Sequence, residues 1–205
     1  GANLASNYSF TPGGYSVGSG TNELAFVGFG KVIGGSAGDI FAFFGDAGFN
    51  GLLDGGGGSN WLDYSAYSAP VSVNLTTGQA TAVALEAAGV VKNIHNNVGS
   101  NFADTLIGNS SASILVGGGG DDYLEGRGDF NIYRFADGWG NDTVVNSSGL
   151  GRLDFGATGE ELSFDLAGKL VTGDTGTVAY SGISAILGGN GINSFMLTGN
   201  HNLDL

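Results

Sequence analysis

The sequence predicts an all-β fold, a parallel β-roll or β-solenoid built from degenerate nonapeptide repeats. Three observations predict it: an excess of glycine, a nine-residue period, and a second, longer period. Glycine supplies 41 of the 205 residues, about three times its usual share of roughly 7%. No G-x-y triplet repeats, which excludes collagen. Only two prolines occur, which argues against a disordered Pro/Gly linker.

The nine-residue period runs without a gap through residues 99–134. Its blocks are GSNFADTLI, GNSSASILV, GGGGDDYLE and GRGDFNIYR, and their eighth residues are Leu106, Leu115, Leu124 and Tyr133. The same frame recurs at 34–42, 55–63 and 188–196, and more loosely at 137–145. Leading glycines allow positive φ and close backbone approach, so they predict turns. The residues after them predict short strands with one apolar side chain pointing inward.

Two nonapeptides predict one coil of the chain. Turn, strand, turn and strand return the backbone to its starting side, and coils then stack about 4.8 Å apart through parallel pairing. One coil buries nothing by itself and needs its neighbours, as in solenoid proteins.

The longer period is an offset of 154 residues that aligns 7–45 with 161–199 without a gap. Identical pairs include Phe10/Phe164, Gly34/Gly188 and Phe41/Phe195. We therefore expect residues 1–154 to form one solenoid unit with a core at 99–145, and residues 155–205 to begin a second copy. This repetition predicts that the chain is a piece of a longer protein with large tandem repeats.

Residues 64–98 separate two sets of nonapeptides. Alternating Val71, Val73 and Leu75 followed by Thr77-Gly78 predict strands that leave and rejoin the solenoid. Residues 83–92 favour one or two helical turns, which Gly89 interrupts.

The charge balance is acidic, with 19 Asp and Glu against 6 Lys and Arg. A net charge of −13 repels nucleic acid and anionic membranes and suits cations. Fourteen of the acids are Asp and many adjoin Gly, as in turns and calcium sites. No cysteine is present, which excludes disulfides and thiolate metal sites. The sequence contains no apolar stretch of about 18 residues, so no membrane-spanning helix is predicted.

Enzyme activity is not expected within this segment. His95 and His201 are far apart in sequence, and neither a G-x-S-x-G nor an H-E-x-x-H motif occurs. Asp121 and Asp122 are adjacent, so on a strand they point to opposite faces and cannot act as an acid/base pair. Trp61, Trp139 and Tyr67 are candidate sugar platforms, although packing explains such rings more simply.

The block GGGGDDYLE, residues 117–125, carries a family resemblance. It matches the pattern G-G-x-G-x-D-x-U-x and resembles the calcium-binding nonapeptides of the repeats-in-toxin (RTX, haemolysin-type) family. The resemblance covers about 20–145 and, through the internal repeat, 177–205. It implies a parallel β-roll, calcium in the turns, and a secreted, extracellular or cell-surface location.

The resemblance also implies where calcium binds. In the family an ion lies between sixth-position Asp residues two repeats apart, which here are Asp104 and Asp122. Backbone carbonyls of the two turns would complete the oxygen shell: Ser100, Phe102, Gly118 and Gly120. On the opposite side Ser113 and Asn131 are neutral, so we expect weak calcium binding there or none.

The alternative at each position is a turn without metal. Asp104 and Asp122 can cap strands as Asx turns. For Asp39 and Asp142 this alternative is preferred, because their stacked partners are missing or out of register in the sequence. Asn in sixth place can replace the ion with a ladder of amides.

Three functions remain open on the sequence. The first is a non-enzymatic, calcium-stabilised structural module of a large secreted or cell-surface bacterial repeat protein, either an adhesin stalk or a subunit of an extracellular filament or sheath. It would self-associate end to end or stand within a longer repeat protein. The second is a calcium-triggered folding and secretion tail of a secreted enzyme. The third is a solenoid that binds a glycan.

Overall fold

A computed structural model describes residues 4–19, 22–84 and 89–196, and it confirms the all-β class. The strands of the first half are β1 (Asn7–Thr11), β2 (Gly14–Ser19), β3 (Asn22–Phe26), β4 (Lys31–Ile33), β5 (Ile40–Gly45), β6 (Leu52–Asp54), β7 (Trp61–Tyr67), β8 (Ser72–Asn74), β9 (Gln79–Ala80), β10 (Val91–Lys92) and β11 (Asn96–Val98). Those of the second half are β12 (Thr105–Ile107), β13 (Ile114–Val116), β14 (Tyr123–Gly126), β15 (Ile132–Arg134), β16 (Asn141–Asn146), β17 (Gly151–Asp154), β18 (Leu162–Asp165), β19 (Leu170–Thr172), β20 (Thr177–Ser181), β21 (Ile183–Leu187) and β22 (Asn193–Met196). Within these ranges no helix is long and apolar enough to cross a membrane.

The strands form three sheets. The order of the ten-stranded sheet is β21-β17-β15-β13-β11-β7-β5-β1-β2-β3, that of the nine-stranded sheet is β22-β18-β19-β20-β16-β14-β12-β8-β9, and that of the third is β10-β6-β4. From β11 to β18 the chain alternates between the two large sheets at each strand. From β11 to β15 each strand pairs in parallel with the next strand but one, whereas β16 pairs with β20 and β17 with β21.

The register of this pairing follows the nonapeptides. Leu106 lies opposite Leu124, and Leu115 lies opposite Tyr133, so the offset is 18 residues, as two nonapeptides predict. Leu124 then pairs with Val144, and the offset grows to 20 because two further residues enter the next turn. The inserted strands β8, β9 and β10 lengthen the step between Leu62 and its partner Asn97 to 35.

The core contains a row of eighth-position side chains, which lie inside as predicted. Those of the described nonapeptides are buried from Phe41 to Val144: Phe41, Leu62, Leu106, Leu115, Leu124, Tyr133 and Val144. The exception is Phe195, which is 56% exposed. Toward the amino terminus aromatic rings stack from coil to coil, with ring centroids 4.4 Å apart for Phe10 and Phe43 and 5.0 Å apart for Phe43 and Tyr64.

The two segments that the 154-residue offset aligns share a pairing pattern. β1 pairs with β2, and β2 with β3, in antiparallel fashion, while β1 also pairs with β5 in parallel. β18 pairs in the same way with β19 and β22, and β19 with β20. Val17 lies opposite Leu24, and at the same offset Val171 lies opposite Val178. The domain boundaries remain a prediction, and 197–205 lie outside the described residues.

The segment 64–98 adds a short antiparallel hairpin. Val73 of β8 pairs with Ala80 of β9, and Gly78 in the turn has a φ of 67°, as the Thr77-Gly78 signal predicts. Residues 85–88 of the predicted helical turns lie outside the described part of the chain. Val91 and Lys92 at its end form β10 instead, in parallel with Leu53 and Asp54.

Candidate metal centre

Three buried aspartates form a column through consecutive coils. Asp104 and Asp122 immediately precede β12 and β14, and Asp142 lies at the start of β16. These three strands are neighbours in the nine-stranded sheet. Each of the three residues is only 3% exposed. Three carboxyl groups are thus held away from water, one above another.

One oxygen of each carboxylate fastens the column. Oδ1 of Asp104 accepts a hydrogen bond from the backbone N–H of Val71 at 2.7 Å. Oδ1 of Asp122 accepts one from the N–H of Asp104 at 2.8 Å, and Oδ1 of Asp142 accepts one from the N–H of Asp122 at 2.9 Å. Each sixth-position side chain therefore holds the backbone of the preceding coil.

The second oxygen distinguishes the three residues. Oδ2 of Asp104 accepts hydrogen bonds from the backbone N–H and the hydroxyl of Ser100. Oδ2 of Asp122 and Oδ2 of Asp142 are buried and have no hydrogen-bond partner. A buried, unpaired carboxylate oxygen costs several kcal/mol or takes up a proton or cation. Among the described residues, these two oxygens are the strongest indication of a site for a proton or a cation.

The raised pKa values of the three aspartates also indicate a site that favours a proton or a cation. Burial, together with the negative charges of Asp142, Asp104 and Asp121, raises the pKa of Asp122 to about 8, against the lowering effect of the hydrogen bond from the Asp104 N–H. Burial likewise raises the pKa of Asp142 to about 7 and raises that of Asp104. At neutral pH the column favours a neutralising proton or a positive ion.

The glycines of the turns shape this column in two ways. Gly118 and Gly120 have φ values of 106° and 107°, where side chains with a Cβ are strained. Gly117 has another constraint, because a Cβ on it would collide with Oδ2 of Asp122. A Cβ on Gly99 would collide with Oδ2 of Asp104 in the same way. The first glycine of these blocks is needed because the inward carboxylate occupies its side-chain space.

We expect Gly117→Ala to destabilise the protein by about 1–3 kcal/mol, as overpacking does. The carboxylate of Asp122 cannot move aside without losing its bond to the N–H of Asp104. Thermal unfolding followed by circular dichroism measures the change. Gly30→Ala is the control, because no atom lies within 4 Å of its Cβ position, and its melting temperature should equal the wild-type value. Equal melting temperatures for both variants would contradict the steric account.

The structure brings the six predicted calcium ligands into two stacked turns, 99–104 and 117–122. Cβ positions built on Gly118 and Gly120 meet the carbonyls of Ser100 and Phe102, so the two turns touch. The Ser100 carbonyl also accepts a hydrogen bond from the N–H of Gly119 at 3.2 Å. Carboxylate and carbonyl oxygens are therefore concentrated at this end of the coils.

The register that the sequence indicated for Asp142 was wrong. Asp142 is not out of register, because a two-residue insertion moves its block to an offset of 20 and leaves it stacked on Asp122. The sixth-place Asp in DGWGNDTVV was the available signal. Asp39 behaves as the turn-capping alternative predicts: its oxygens accept the N–H groups of Ser6 at 2.8 Å and Gly35 at 2.7 Å.

The opposite side of the coils satisfies itself with amides. Oδ1 of Asn131 accepts the N–H of Ser113 at 3.0 Å, while its Nδ2 donates to the carbonyl of Gly128 in its own turn at 2.7 Å. Asn60 repeats the arrangement with the carbonyl of Gly57 at 3.0 Å. A carboxylate has no N–H to donate. The aspartate turns therefore lack the side-chain N–H group that, in the asparagine turns, donates to a backbone carbonyl where a cation would otherwise bind.

A second acidic group is fully paired. Glu160 accepts hydrogen bonds from the N–H and hydroxyl of Thr175, and Asp137 accepts them from the N–H of Gly159 and the hydroxyl of Thr158. These bonds tie three turns together, so this group has a structural role. The described ranges contain no convergent group of three or more His, Cys, Asp or Glu side chains.

The histidines and tryptophans add little to the site. Nδ1 of His95 accepts a long hydrogen bond of 3.5 Å from the N–H of Asn60, and His201 lies outside the described residues. Trp139 is buried against Phe135 and Phe155, so packing is its role. No protein-family model and no curated protein matches the chain.

Proposed function

We propose that this chain is a non-enzymatic structural module, a parallel β-roll stabilised by calcium. It serves as a stalk or filament segment of a large secreted or cell-surface bacterial repeat protein. The observation that carries the proposal is the column of Asp104, Asp122 and Asp142, in which two buried carboxylate oxygens are unpaired. The alternation of strands between two sheets at an offset of 18 residues supports the β-roll.

Calcium fits the donor set of the column. It is a hard cation that takes six to eight oxygen ligands from carboxylates and carbonyls. Asp104 and Asp122, with the carbonyls of Ser100, Phe102, Gly118 and Gly120, offer only oxygen. Asp142 extends the set to a second pair with Asp122. A divalent cation offsets the repulsion that raises the pKa of Asp122.

The structural role follows from how the coils are used. Between residues 99 and 134 the eighth-position side chains lie in the core, and the sixth-position side chains hydrogen-bond to neighbouring coils or to their own turns. The recurrence of one pairing pattern in both parts of the repeat supports a spacer made of like units. A secretion tail of an enzyme is the second reading, and it differs in expecting an unfolded chain without calcium.

The test is a thermal melt followed by circular dichroism, with calcium titrated from excess chelator to about 10 mM, the range of extracellular calcium modules. We expect the melting temperature to rise with calcium as binding to the folded state requires. Magnesium at equal concentration is the control and should do less, because it demands a smaller, octahedral site. A folded chain that needs no calcium and does not respond to it would overturn the calcium part. A random coil in chelator would favour the secretion-tail reading.

A glycan-binding role has one supporting observation. A cavity of about 490 Å³ opens between Tyr15, Phe49 and Tyr67, with Thr81 at its edge. Aromatic rings of this kind can stack on the apolar face of a sugar. A glycan array read with wild type and Tyr67→Ala decides the point. Hits that the substitution abolishes would support this role, and an array without hits would remove it.

A further inference from the structure

The carboxyl-terminal end of both large sheets is an exposed apolar surface. β21 and β22 are the outermost strands of the ten- and nine-stranded sheets. They and the turn between them expose large apolar side chains, which we call the carboxyl-terminal face: Leu187, Ile192, Phe195 and Met196. Phe195 stacks one side of its ring on Phe164, with centroids 4.6 Å apart. Its other side has no comparable ring partner among the described residues.

The first copy of the repeat contains the same coil with its cover in place. Phe41 is the residue that aligns with Phe195, and it is completely buried. Phe41 is buried because β7 pairs with β5 in parallel, which sets Leu62 opposite Phe41. In the neighbouring sheet Val32, aligned with Ile186, lies opposite Leu53 of β6. The chain itself therefore shows which strands cover this coil.

The amino-terminal end lacks the complementary neighbours. β3 is the last strand of the ten-stranded sheet, whereas its counterpart β20 pairs with β16. β4 is an outer strand of its sheet, whereas its counterpart β21 pairs with β17. Exposed apolar side chains also lie just before β4 and at its end, namely Val27, Phe29 and Ile33. Each end thus lacks the neighbours that the other copy of the same coil possesses.

We propose that the carboxyl-terminal face is the docking surface for another unit of this same sequence. That unit continues the repeat from the equivalent of residue 46, so that strands like β6 and β7 pair with β21 and β22 as β6 and β7 pair with β4 and β5 in the first copy. The inference rests on the proposed role as a repeat module and names the partner of that module. Parallel edge strands offer backbone hydrogen bonds in a fixed register, and the repeat supplies the strands that match this register.

Shape at this end agrees with such an occupant. A cavity of about 400 Å³ lies against Leu166, Tyr180, Ile183 and Phe195. In the first copy the corresponding region receives Phe49, whose ring centroid lies 5.3 Å from those of both Phe10 and Tyr15. Phe49 belongs to the segment 46–67. The incoming coil therefore supplies two strands and also an aromatic ring, equivalent to that of Phe49, that can fill this cavity.

The test is a seamless tandem protein in which residues 1–199 are followed directly by residues 46–205. Residue 199 aligns with residue 45, so this splice continues the repeat without a break. We expect one cooperative melting transition, roughly 5–10 °C above that of the single chain. The control joins two full chains through a flexible Gly/Ser linker, and it should melt at the temperature of the single chain.

Phe195→Asp reports on the junction itself. In the single chain Phe195 is half exposed and stacks on Phe164 with one side of its ring only, so the substitution should lower the melting temperature modestly. In the seamless tandem it should remove the added stability, because it places a charge opposite the residue equivalent to Leu62. Separate transitions at the single-chain temperature, or equal effects of Phe195→Asp in both proteins, would overturn the docking proposal.

Melting experiments with and without calcium distinguish a failure of this proposal from a failure of the proposed function. All melts are run in chelator and in calcium. Coupling of the two units without any calcium response would sink the calcium-stabilised module and leave the docking surface intact. A calcium response without coupling would do the reverse. Concentration-dependent association of the single chain in sedimentation, with no gain in the tandem, would also overturn docking through the 46–67 coil.

Discussion

Replacing Asp122 by asparagine is expected to make the protein more stable at pH 8 in the absence of calcium. The new Oδ1 can still accept the N–H of Asp104, which Asp122 binds at 2.8 Å. The new Nδ2 can donate to the carbonyl of Gly119, as Asn131 donates to the equivalent Gly128 at 2.7 Å. The substitution also removes a buried negative charge. An amide thereby does permanently what a cation or proton does for the carboxylate.

The pH dependence of the wild type gives the sign of this effect. The pKa of Asp122 is about 8 and that of Asp142 about 7 in the folded protein, against 3.8 ordinarily. Since these folded values are raised, their stabilisation is complete below pH 4 and is lost as the pH rises through 7 and 8. Each carboxyl contributes a slope of about 1.4 kcal/mol per pH unit. In chelator the melting temperature should therefore fall between pH 4 and 8.

Three variants make the comparison decisive. Asp122→Asn should flatten this fall and weaken the response to calcium. Asp46→Asn removes the same charge from an exposed position and should leave both unchanged. Asn131→Asp should introduce a falling profile by placing a carboxylate where the Gly128 carbonyl now accepts an N–H. A wild-type melting temperature that stays level from pH 4 to 8 in chelator would refute this account of the column.

Phe43→Ala is expected to destabilise the protein by about 3–5 kcal/mol, the range for a buried phenylalanine that leaves a cavity. Phe43 is completely buried, and its ring stacks between those of Phe10 and Tyr64 at 4.4 and 5.0 Å. Removing it breaks a stack that joins successive coils. Chemical unfolding with a linear extrapolation measures the loss.

The matched control for this prediction is the next residue. Phe44 is on the same strand, β5, but its side chain points to the other face and is 39% exposed. Phe44→Ala should change the unfolding free energy by less than about 1 kcal/mol. If both variants lose the same stability, the aromatic stack is not what holds this part of the core together.

The nonapeptide frame predicted the fold best where it has no insertions. Between 99 and 134 each eighth residue is buried, and each pair is offset by 18. The frame did not predict the partner of Asp142, because two extra residues in a turn change the spacing without changing the stack. It also did not predict the long step from Leu62 to Asn97, since strands inserted between coils leave no trace in a period of nine.

The candidate site was predicted in its residues more than in its chemistry. The sequence placed Asp104 over Asp122 and a neutral pair, Ser113 and Asn131, on the other side, and both stacks are present. It did not predict that asparagine binds the carbonyls of its own turn. Nor did it predict that Gly117 makes room for a carboxylate. Both depend on side-chain direction within a turn, which a repeating pattern of residue types does not specify.

The backbone N–H groups that sixth-position side chains accept from other coils all belong to earlier residues of the chain. Asp39 holds Ser6, Asn60 holds Asp39, Asp122 holds Asp104, and Asp142 holds Asp122. In these bonds the accepting side chain comes from a later residue, in the nonapeptide core 18 to 20 positions on. When the amino-terminal end of a chain becomes available first, each N–H group waits for the accepting side chain of a later turn. When the carboxyl-terminal end becomes available first, the accepting side chain is present before the N–H group that it binds. The end of the chain that becomes available first during folding therefore sets the order in which these hydrogen bonds can form.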